Sequence, residues 1–340
     1  MTSVLTELFL MLLVILIAAE IFTNALEHLG QKLGISEGVT GSLFAAVGTA
    51  LPETLVPILA IMGGTASAAV NEEIGVGAIL GAPLMLGTLS TCLMGLSVLK
   101  SRGLSGHIRP ENSGFVRDLN FFIAAFVLAA AAMFMPQNLG GLNLRAVVSI
   151  VLVLLYFFYI MLTLKASKAL VAEGHGTEAE DVMFLSRVGI PTNSLTIALQ
   201  LGLGLGLLVF GAKGFIHGVS EGSALLGMTP LLLSLLIIPI ATELPEKVNS
   251  ILWIRKGKDT LAFGNITGAM VFQGTLLPAI GIALTPWMPR TEVFVGLVLT
   301  LVAALWLRWC ASLNKGVRVW HLMLNGALYA TYLAIVLSTR

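Results

Sequence analysis

The chain has 340 residues, with 19 Lys and Arg against 18 Asp and Glu and a net charge of +1. Hydrophobic residues make up 57% of it, and the mean hydropathy is +0.95. A soluble chain has roughly a quarter of its residues charged, so the composition excludes a soluble enzyme, a disordered chain and a basic nucleic-acid-binding surface, and leaves a polytopic membrane protein.

A spanning helix needs roughly 20 apolar residues. The first apolar run, 4–26, has no basic residue before it and no clear small-residue cleavage site, so it reads as a spanning helix and not as a signal peptide. Runs follow at 39–63, 74–99, 116–135 and 144–164. The stretch 165–193, with Glu173, His175, Glu178, Glu180 and Asp181, reads as a solvated linker. Further runs lie at 194–217, 224–254, 260–287, 292–311 and 317–338. With the N-terminus outside, the inside loops hold 14 Lys and Arg and the outside 4, with Lys247 left within a helix. That bias fixes the orientation. The expected fold is an all-α integral membrane protein of the cell membrane, with ten transmembrane helices and both termini outside. The expected parts are a first five-helix repeat, 1–164, a cytoplasmic linker, 165–193, and a second five-helix repeat, 194–340. Cys92 and Cys310 sit in apolar runs and read as core residues. His28, His107, His175, His217 and His321 are scattered and read as interfacial.

An odd number of helices per half gives the halves opposite orientation, so sequence matches between them mean an inverted repeat. Residues 48–53 read GTALPE and 241–246 read ATELPE. Gly34 aligns with Gly227 in the same register. A second block, GAILGAPLMLGTL at 77–89, matches GNITGAMVFQGTL at 264–276. Gly77 and Gly81, like Gly264 and Gly268, recur every four residues, so each pair lines one helix face where neighbours can approach closely.

Glu53 and Glu246 are carboxylates in mid-helix. Each costs on the order of 3 kcal/mol or more near the bilayer centre, which makes them candidates for function. Pro52 cannot donate to the Gly48 carbonyl, nor Pro245 to that of Ala241. Those carbonyls, the carboxylates and the hydroxyls of Thr49 and Thr242 form an oxygen set suited to a hard cation. Asn265 and Gln273, two helical turns apart on one face, are further candidate oxygen donors. There is no HExxH motif and no sequence-local Cys/His cluster. Glu243 and Lys247 are spaced for an i,i+4 ion pair. That pair is either a neutralised structural element or a charge-coupling device in which Lys247 supplies the charge of a bound monovalent cation.

Two inverted halves, each with a G-T-x-x-P-E-like block followed by a glycine-rich block, resemble the sodium/calcium exchanger family of cation/Ca²⁺ antiporters. The resemblance covers nearly the whole chain in topology, and its residue signal lies at 40–90 and 233–276. It implies that Glu53 and Glu246, with Thr49 and Thr242, bind Ca²⁺ and Na⁺ in alternation, and that Asn265 is the motif asparagine of the second half. The departures are specific. Ala78, Ala82 and Leu86 replace polar or small polar residues in the first half, and Ala269 replaces a serine in the second. Gln273 stands where Asn or Asp is usual, and Glu243 and Lys247 add charge.

The expected function is secondary antiport of Ca²⁺ against Na⁺ or H⁺ by alternating access at a midplane site. No cofactor is implied beyond the transported ions, and the partners are inorganic cations and the bilayer, not nucleic acid. The alternatives are a divergent relative that carries another cation or couples only to protons, an intramembrane enzyme using the glutamates as acid and base, and a passive channel. The internal symmetry argues against the last two, since an enzyme needs no repeat and channels usually build pores by multimer symmetry.

Overall fold

In a computed structural model the described residues are 2–32, 46–139, 141–171, 182–313 and 316–338. The linker charges Glu173, His175, Glu178, Glu180 and Asp181, and the repeat anchor Gly34, lie outside them. The described chain is helical, apart from two antiparallel ribbons that pair His107–Ile108 (β1) with Val317–Arg318 (β4) and Asn138–Leu139 (β2) with Leu142–Asn143 (β3). The helices are α1 (Thr2–Lys32), α2 (Ala46–Ile61), α3 (Ala68–Arg102), α4 (Asn112–Ala132), α5 (Leu144–Val171), α6 (Phe184–Arg187), α7 (Ser194–Leu226), α8 (Pro230–Thr242), α9 (Leu244–Arg255), α10 (Asp259–Leu284), α11 (Thr291–Ala311) and α12 (Val319–Ser338).

Eight of these are long and apolar enough to cross a membrane: α1, α3, α4, α5, α7, α10, α11 and α12. The apolar runs that carry the repeated LPE motif form the shorter elements, α2 and the broken pair α8 and α9. α7 runs nine residues past its predicted end, to Leu226, because Gly227 supplies the left-handed conformation (φ 62°) that stops it. Its start is fixed by a capping box. Asn193 Oδ1 accepts from the amides of Leu195 and Thr196, and the Thr196 hydroxyl accepts from the Asn193 amide.

The described residues group into two compact units, each drawn from both halves of the sequence. The first comprises Met1–Ile74 and Phe158–Pro230. Here α1 and α7 pack antiparallel along their length. A Cβ at Gly204 would lie 2.9 Å from Phe22 Cβ, so glycine is what brings the two backbones together. Gln200, fully buried, donates to the Ile21 carbonyl and Asn24 Oδ1 and accepts from the Leu185 amide. Asn24 Oδ1 also accepts from the Phe184 amide. These bonds satisfy buried amides that lipid cannot serve and tie α6 to the pair.

The second unit comprises Gly75–Phe157 and Leu231–Arg340. α4 packs on α10 and α11, and α12 packs on α3 and α11. α3 contains a π turn at Leu86–Ser90, within the glycine-rich block. Asn325 on α12 donates to the Gly87 carbonyl in that turn at 2.7 Å. At one edge Arg102 grips buried Asp259 with both terminal guanidinium nitrogens, Nη1 and Nη2, at 2.9 and 2.8 Å, and the Arg109 amide donates to the same carboxylate at 2.9 Å.

Candidate functional site

The second-repeat motif is built on a helix break. α8 ends at Thr242 and α9 begins at Leu244, with Glu243 between them at φ −97° and ψ 7°. Pro245 falls at the start of α9, where a missing N–H costs nothing. Glu246 therefore lies in the first turn of a helix, where the dipole and free amides favour a negative charge. The first-repeat motif differs, since α2 runs unbroken through Pro52 and Pro57.

All the charged residues of the break are buried, with Glu243 0% exposed, Glu246 4% and Lys247 7%. Lys247 Nζ is 3.0 Å from Glu243 Oε2 and donates to the Pro239 carbonyl at 2.8 Å, with Met85 Sδ at 3.1 Å. Gln273 Nε2 donates to the other oxygen of Glu243 at 3.2 Å. Asn265 Nδ2 donates to the Glu246 carbonyl at 3.0 Å and to Ser250 Oγ at 2.9 Å. Asn265 and Gln273 thus both face the broken motif from α10, one at Glu246 and the other at Glu243. Each is engaged there through its amide nitrogen. Thr242 is buried, and its hydroxyl donates to the Ile238 carbonyl at 3.2 Å. Ala241 is the penultimate residue of α8, and Pro245 has no N–H to offer its carbonyl.

In the first unit Glu53 is 4% exposed on α2. Gly48 and Thr49 fall within the same helix, but their side-chain environment lies outside the described set. The glycine faces diverge. Gly77 and Gly81 press against α8, at Ser234 and Leu231 and at Leu235 and Pro239, as close approach requires. Gly264 has no neighbour within 4 Å of a built Cβ among the described residues, so close approach does not explain that glycine.

Two polar groups escaped the sequence reading. Asp118 on α4 is buried and accepts from Thr267 Oγ1 of α10 at 2.8 Å. It stands at the start of an apolar run beside Arg117, where it passes for a loop charge. Glu7, His217 and Glu221 bring ligating atoms within 4.8 Å of one another. The two carboxylates meet opposite ring nitrogens, Glu7 Oε1 at Nδ1 (3.1 Å) and Glu221 Oε1 at Nε2 (3.6 Å). That is an imidazole bridging two acids, not three ligands converging on one ion. The i,i+4 spacing of His217 and Glu221 was the only sequence signal for it.

The oxygen-rich, buried motif can be set beside known proteins. The sodium/calcium exchanger protein family matches residues 4–165 and 196–338, so both motif blocks fall inside the match. The chain is 27% identical over 281 residues to a putative antiporter, CaxA, of Alkalimonas amylolytica, covering 81% of this chain and 79% of that one. It is 25% identical over 282 residues to the inner membrane protein YrbG of Escherichia coli (strain K12), covering 81% and 78%. The crystal structure of the H⁺/Ca²⁺ exchanger CAX shares the fold with a TM-score of 0.71 at 18% identity, over 98% of this chain and 82% of that one. The sodium-calcium exchanger NCX_Mj does so with a TM-score of 0.58 at 19% identity, over 98% and 99%. The matched residues take in both copies of the LPE motif and the apolar spans found among the described residues, short of the first two residues of α1 and of α7, and the chain belongs to the sodium/calcium exchanger protein family.

Proposed function

We propose that this protein is a secondary active antiporter of the cell membrane that exchanges Ca²⁺ for Na⁺ or H⁺. The observation that carries the reading is a pair of buried carboxylates, Glu53 and Glu246, at equivalent positions of a duplicated motif. Family membership, and relatives described as a putative antiporter and as an inner membrane protein, support it.

In this reading the chain crosses the membrane ten times as two inverted five-helix repeats, 1–164 and 194–340, joined by the cytoplasmic linker 165–193, with both termini outside. Glu53 and Glu246 are the carboxylate ligands of the transported cation. Thr49, Thr242, Asn265, Gln273 and the carbonyls of Gly48 and Ala241 complete the oxygen set. Two carboxylates neutralise one divalent ion or its monovalent replacements, so the ions compete. With no ion bound, carrying two carboxylates through the bilayer without the cation that neutralises them is costly, so the empty protein resists reorientation. That penalty couples the two fluxes, and alternating access of the repeats supplies the transport step. The activity is transport, with no bond made or broken.

Purified protein in liposomes tests this. Ca²⁺ uptake is measured with imposed Na⁺, K⁺ or H⁺ gradients. Uptake driven by an outward Na⁺ or H⁺ gradient, and not by K⁺, is expected and names the coupling ion. Uptake indifferent to every gradient refutes antiport.

A further inference from the structure

The second repeat carries a charge pair that the first lacks. Ala50 and Thr54 stand at the positions of Glu243 and Lys247. Glu243 is fully enclosed, and a carboxylate there needs a cation beside it. Lys247 Nζ supplies that cation, in contact with one carboxylate oxygen, one main-chain carbonyl and one thioether. Gln273 holds the remaining carboxylate oxygen. Carboxylate and carbonyl oxygens are what a Na⁺ or K⁺ ion would take in place of an ammonium. The ammonium is tethered to the residue after Glu246, so it cannot leave with the exchanged ions.

We propose that Lys247 is a built-in counter-ion that occupies the place of one monovalent cation in the second repeat. The inference rests on the reading that the repeated motif holds cations. It deepens that reading by removing one mobile monovalent ion from the second repeat and assigning its charge to the protein. Glu243 is then a structural partner of the lysine, and Glu246 remains the exchanging carboxylate of that repeat.

The test is thermal unfolding of the detergent-solubilised full chain in NaCl, KCl or choline chloride at equal ionic strength. Wild type, K247M and E243Q/K247M are compared. K247M leaves Glu243 without its cation, so its midpoint is expected to rise by several degrees from choline to Na⁺ or K⁺, beyond any rise in wild type. E243Q/K247M removes both charges and is expected to return to the wild-type salt response. A K247M that folds only in Na⁺ or K⁺ supports the proposal equally.

The proposal is overturned if K247M responds to the salts as wild type does, or if the double variant keeps the added response. It is also overturned if K247M is recovered in none of the salts, whether or not E243Q/K247M folds. The readout needs no Ca²⁺ movement. A protein that fails to exchange Ca²⁺ but shows this pattern refutes the transport reading while sustaining the built-in counter-ion.

Discussion

Gly81 is the point where a single methyl group should disturb the site from a distance. It faces α8, and a Cβ there would lie 2.8 Å from Pro239 Cγ and 2.9 Å from the carbonyl carbon of Leu235, with the Leu235 oxygen closer still. Ordinary carbon–carbon contact is about 3.5–4.0 Å, so α3 and α8 must part by roughly 1 Å to admit Gly81→Ala. The obstructing atoms are backbone and a proline ring, which cannot swing aside, and overpacking of this kind costs about 1–3 kcal/mol. The displaced segment includes Pro239, whose carbonyl holds Lys247, so the shift reaches the charged break directly. Gly81→Ala should lower the unfolding midpoint in detergent and reduce Ca²⁺ uptake per folded molecule in liposomes. Gly264→Ala is the control. It adds a methyl where no described neighbour lies within 4 Å. It should leave stability unchanged or raise it by up to about 1 kcal/mol through helix propensity. A Gly81→Ala protein that melts at the wild-type temperature, or a Gly264→Ala protein that falls as far, would refute the packing argument.

Two further outcomes follow from the edges of the second unit. Arg102→Ala strips a bidentate partner from Asp259, whose side chain is 10% exposed, and should cost about 3 kcal/mol because the carboxylate stays behind without its cation, held only by the Arg109 amide among the bonds described. Arg102→Ala/Asp259→Asn should recover part of that loss, and a double-mutant cycle on unfolding midpoints measures the share. Glu111 caps α4, accepting from the amides of Ser113 and Gly114 at 2.7 Å each. The Gly114 N–H is the main cause holding its carboxyl below the ordinary glutamate range, with Ser113 and Arg117 assisting. A lowered folded value stabilises the protein above the unfolded pKa of about 4.3, and this contribution disappears as pH falls through the folded value. Midpoints of wild type and Glu111→Gln, measured from pH 7 to pH 3, should therefore converge at the acid end. A gap that widens on acidification would contradict the assignment.

The spanning helices are legible in the sequence because hydrophobic runs of sufficient length have few other uses, and the glutamates because carboxylates are scarce within those runs. The break at Glu243 was not legible. Proline alone does not cause it, since α2 continues through Pro52 in the same motif. Among the local differences is Glu243 in place of Ala50, held from α10 by Gln273 and from α9 by Lys247. The i,i+4 spacing announced the ion pair but not that it would sit at a helix junction. Asp118 and the Glu7–His217 contact were hidden for a related reason. Each is made between residues far apart in sequence, Asp118 with Thr267 and Glu7 with His217, and no local pattern encodes it. The first-repeat candidates Gly48 and Thr49 rest on the carbonyl that Pro52 leaves without a donor, the threonine hydroxyl and the family resemblance, since their side-chain environment lies outside the described residues.

The most direct test of the account is Ca²⁺ uptake into proteoliposomes under the driving gradient, for wild type, Glu53→Gln and Glu246→Gln. Protein incorporation and unfolding midpoint are matched across the set. If the duplicated motif contributes both carboxylates of one cation site, each substitution alone reduces uptake to that of protein-free vesicles. Wild-type uptake in either variant would show that its glutamate does not carry the ion, and would contradict the central claim.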